Sequence, residues 1–104
     1  MADSTRQAWA ALAEHLEARK RELVEAVRSY PTPIARCDDQ LPEAIARRDA
    51  AARDLAQALE VDAAALSEAP WRERARALAA RFAAADDERL RAASSRVLAE
   101  LESR

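Results

Sequence analysis

The sequence predicts an all-α protein, and three observations carry that prediction. Its 104 residues include no glycine and no asparagine, so the two residue types that enter left-handed backbone most cheaply are missing, and with them most tight hairpin turns. Valine, isoleucine, threonine and the aromatics together number 12, too few to build a sandwich or barrel. Alanine fills 29 positions and arginine 16, against one lysine; alanine, arginine, leucine and glutamate are all strong helix formers. The length suits a single domain over residues 1–104. The expected architecture is a long antiparallel helical hairpin, with helices at about 4–29 and 39–60, followed by a C-terminal helix or kinked pair at about 68–84 and 87–102. Together these make a three- to four-helix bundle.

The first helix is expected to open on a capping box, Ser4-Thr5-Arg6-Gln7, in which hydroxyl and amide satisfy each other's neighbours. Trp9, Leu12, Leu16, Leu23, Val27 and Tyr30 then hold one helical face. Pro31 and Pro33 stop the helix, because each lacks an amide donor and pushes its predecessor toward extended backbone. Asp38 or Asp39 can cap the second helix, with Pro42 in its first turn, where a missing donor costs least.

Folding the second helix back on the first in coiled-coil register pairs Tyr30 with Leu41, Ala26 with Ile45, Leu23 with Arg48, Arg19 with Ala52, Leu16 with Leu55 and Leu12 with Leu59. The third helix is expected to be capped by Ser67, with Leu66 and Trp71 closing a hydrophobic staple and Pro70 in the first turn. The acidic run Asp86-Asp87-Glu88 shifts the apolar register by about one residue. A break there, with Asp86 capping a fourth helix, is expected over a kink. Five acid–base pairs sit four residues apart with favourable polarity: Glu17–Arg21, Glu43–Arg47, Asp49–Arg53, Glu68–Arg72 and Asp87–Arg91.

Several functions lack their parts. A phosphate loop needs glycine. No run longer than seven residues is free of charged side chains, so no membrane span is expected. The N-terminal residues show no basic-then-apolar signal pattern. The lone Cys37 cannot form an internal disulfide and suits a reducing cytoplasm. The arginine-rich, lysine-poor composition suits a GC-rich bacterial genome. His15 lies roughly 22 Å of helix from Tyr30, too far for a Cys–His nucleophile pair with Cys37. One histidine and one cysteine cannot build a zinc cage; Asp38-Asp39 and Asp86-Asp87-Glu88 could at most offer a hard cation carboxylates, and capping accounts for both. No enzyme activity, cofactor or metal is therefore expected.

What remains is interaction. Two prolines pre-order the loop between the first helices, so Tyr30, Thr32, Pro33, Ile34, Arg36 and Cys37 would present a partner with a surface that has little entropy to lose. The alternative is a stiff connector. Trp71, Leu78, Phe82, Leu90, Val97 and Leu101 form a C-terminal stripe that either packs on the hairpin or closes a homodimer. Arg72, Arg74, Arg76 and Arg81 concentrate positive charge on the third helix and would serve a nucleic-acid accessory protein, although the net charge is −2. The expected function is a non-enzymatic helical protein–protein interaction or scaffold module that self-associates, with nucleic-acid binding as the alternative.

Overall fold

The protein, as a computed structural model describing residues 2–30 and 40–102, is helical throughout. Its elements are α1 (Ala2–Arg28), α2 (Gln40–Leu59), a single 3-10 turn (Ala63–Ala65), α3 (Ala69–Phe82) and α4 (Glu88–Glu102). α1 is the central helix, packing against both α2 and α4, while α3 lies mainly on α4. The predicted hairpin, and a helix break rather than a kink near residue 86, are both present. Asp38 and Asp39, expected as caps of α2, lie outside the described residues.

Helix lengths decide the shape. α1 has 27 residues and α4 has 15, or about 40 Å against about 22 Å. α4 can therefore accompany α1 for little more than half its course. Beyond that point α1 and α2 continue as a two-helix arm, and the molecule measures 55 × 21 × 18 Å.

The core fills the four-helix half. Trp9, Leu12 and Leu16 of α1 meet Leu55 of α2, Phe82 of α3, and Leu90, Val97 and Leu101 of α4. Val61 and Leu66, flanking the 3-10 turn, close the end. Ala8, Ala51, Ala58, Ala75 and Ala79 are all buried; with only a methyl group each, they let backbones approach closely where larger residues would force helices apart. Alanine-rich composition thus serves packing as well as helix propensity.

Three predicted caps move. α1 begins at Ala2, so Ser4 lies inside its first turn and is no cap. Packing explains the extension: Thr5 and Ala8 are buried, and α1 contacts the 3-10 turn. The N-cap of α3 is Glu68 rather than Ser67, and its side chain makes no capping bond. Pro70 in that first turn removes one donor that would need a partner. α4 is capped by Asp87, not Asp86: its Oδ1 accepts the amides of Arg89 (2.9 Å) and Leu90 (3.2 Å).

The seam also departs from the expected register. Leu55 is buried as predicted, but its buried companions on α2 are Ala51 and Ala58. Leu59, expected opposite Leu12, is 65% exposed. Leu12 is instead enclosed by the larger cluster that α3 and α4 complete. Arg19, expected against Ala52, reaches across to Asp87 at 3.0 Å. Arg48 turns to Asp49.

One buried group is unsatisfied among the described residues. Ser94 on α4 is fully buried and its hydroxyl has no hydrogen-bond partner. A buried hydroxyl without a partner costs about 1–3 kcal/mol in lost hydration. Ser94→Ala keeps the small volume and removes the orphan, so it should stabilise the fold by about 1 kcal/mol in urea unfolding. A loss of stability would mean that the hydroxyl contributes to the native packing.

Candidate interaction surface

Burial stops abruptly along the hairpin. Between Leu16 and Ala51 no described residue is buried. The arm nevertheless carries Leu23, Val24, Val27, Tyr30, Leu41 and Ile45, all half-covered. Two antiparallel helices can shield only the strip where they touch. A bundle needs further layers to cover the adjoining apolar positions, and α3 and α4 supply them only up to the level of Arg19.

The Arg19–Asp87 pair marks that limit. Asp87 caps α4 through Oδ1 and accepts the Arg19 guanidinium through Oδ2. Its carboxyl is lowered from the ordinary carboxylate value chiefly by the Leu90 amide; burial opposes this as the next largest effect, and Arg19 and the Arg89 amide lower it further. Arg19, Leu23, Arg47, Asp86 and Asp87 line an open concavity in the crook where the arm leaves the bundle. His15 stands exposed nearby, above a shallower depression shared with Arg19, Glu22, Asp87 and Arg89.

α2 carries two apolar stripes. The inward one is Ala51, Leu55 and Ala58. Beside it run Leu41, Ile45 and Ala52, all half-covered, and Leu59, which is exposed. Gln57 and Asp54, which turn toward α3, accept hydrogen bonds from Arg81 at 2.6 and 2.9 Å. At about 100° per residue, Leu59 is rotated by roughly 160° from both Gln57 and, after five steps, close to 140° from Asp54. Leu59 therefore faces away from α3.

The sequence-predicted positions are distributed as follows. Of the loop set, only Tyr30 is described, half-buried at the end of α1, where its amide bonds the Val27 carbonyl; Thr32, Pro33, Ile34, Arg36 and Cys37 lie outside the described residues. The C-terminal stripe is used within one chain: Phe82, Leu90, Val97 and Leu101 are buried in the core, and Trp71 and Leu78 pack against it. Among the helix-three arginines, Arg72 donates to the Leu101 carbonyl, Arg74 pairs with Glu60, and Arg81 holds Asp54 and Gln57 while lying 5.0 Å over the Phe82 ring. Arg76 is exposed. Tertiary partners thus engage three of the four guanidinium groups.

The same competition reshapes the local ion pairs. Glu17–Arg21 and Glu43–Arg47 form at 3.1 Å each. Asp49 instead meets Arg48, Arg72 goes to Leu101, Asp87 to Arg19, and Arg91 donates to the Ala85 carbonyl. Exposed pairs on one helix contribute a few tenths of a kcal/mol, so a partner on another helix displaces them easily.

Comparison with protein-family models, with curated proteins and with solved structures finds no match for this chain. Among the described residues, no group of three or more His, Cys, Asp or Glu side chains could hold a metal ion, and no helix is long and apolar enough to cross a membrane. The surface feature that sequence reasoning missed is the exposure of Leu59 on α2. Periodicity groups Leu59 with Leu41, Ile45 and Ala52 on one face, which is why the sequence sets it in the seam.

Proposed function

We propose that this chain is a non-enzymatic helical interaction module of the cytoplasm, and that its projecting hairpin is the contact surface. The observation that carries the reading is the absence of any buried residue between Leu16 and Ala51 among those described, despite six large apolar side chains there. A folded arm with apolar positions and no core of its own is completed by burial against something else. Engagement of Arg72, Arg74 and Arg81 by protein partners supports this reading over phosphate binding, which wants guanidinium groups free to reach a backbone.

Photo-reactive residues placed in living cells test the proposal. With the probe at Val24 or Ile45, ultraviolet exposure should yield discrete protein adducts. The same probe at the exposed bundle positions Arg76 or Arg91 should yield few. Equal adduct patterns from arm and bundle, or none from the arm, would count against the hairpin as the contact surface.

A further inference from the structure

We draw no further inference here: the strongest candidate, the open concavity in the crook between the arm and the bundle, lined by Arg19, Leu23, Arg47, Asp86 and Asp87, belongs to the surface already proposed for contact, its Arg19 and Asp87 being paired with each other and its Arg47 with Glu43, and nothing in the structure shows what covers it.

Discussion

Replacing Leu12 by alanine is expected to cost about 2–5 kcal/mol of folding stability, while Leu23→Ala, three turns further along the same helix, should cost less than about 1 kcal/mol. Both leucines belong to one apolar stripe of α1, and composition gives no reason to separate them. Their surroundings differ. Leu12 is fully buried among side chains from all four helices, so truncation removes transfer energy and leaves a cavity that rigid neighbours cannot fill. Leu23 sits on the open side of the arm, in the wall of the crook with Arg19 and Arg47, where water replaces the missing methyl groups. Chemical denaturation of both variants decides the matter, with an accompanying fall in Tm of roughly 10 °C or more for Leu12→Ala. Comparable losses would show that the arm is as tightly packed as the bundle, and would remove the reason to call it a contact surface.

Asp87→Ala is the second large effect, expected at about 1–2 kcal/mol because it deletes the cap of α4 together with the tie to α1. Asp87→Asn separates the two roles. Asparagine is as good a cap as aspartate, so this variant should keep most of the stability and lose what depends on charge. The pH dependence follows from the depressed carboxyl of Asp87. A group whose pKa is lower in the folded state stabilises the fold fully above its unfolded value of about 3.9, and that contribution disappears as pH falls through the lower, folded value. The wild-type protein should therefore exceed Asp87→Asn by a constant margin from neutral pH down to about 5, and the margin should vanish in strong acid. A margin that does not shrink as the solution is acidified would mean that the charge of Asp87 is not what joins α4 to α1.

How much was legible in the sequence depended on the range of the forces involved. Helix boundaries came within one or two residues wherever a local chemical signal existed. α1 ends at Arg28, Pro42 and Pro70 fall in first turns, and the acidic run separates α3 from α4. These signals act over three or four residues and owe little to distant parts of the chain. Caps were less secure. Ser4, Ser67 and Asp86 each had a neighbour able to serve or a helix able to start elsewhere, and packing of Thr5 and Ala8 or the reach of Arg19 to Asp87 chose between them.

The register of α2 shows the sharper limit. Sequence periodicity located an apolar face containing Leu55, but an alanine counts as apolar whether it lies inward or outward. The choice between an Ala51–Leu55–Ala58 seam and one containing Leu59 turned on how closely the backbones could approach. That depends on α3 and α4, whose placement no local pattern reveals. Ion pairing was undecided for the same reason: Arg72 and Asp87 each had an acceptable partner four residues away and a better one on another helix.

By itself, then, the sequence determined that the chain is helical, that α2 packs back on α1, and that the last helical segment breaks near residue 86. The missing glycine and asparagine, the proline positions and the apolar periodicity impose those outcomes through backbone sterics and local burial. Only the tertiary structure decided where the core ends. Fifteen residues of α4 cannot cover 27 of α1, so half the hairpin extends past its neighbours. On that half, the same kinds of apolar side chain that elsewhere build a core are only partly covered.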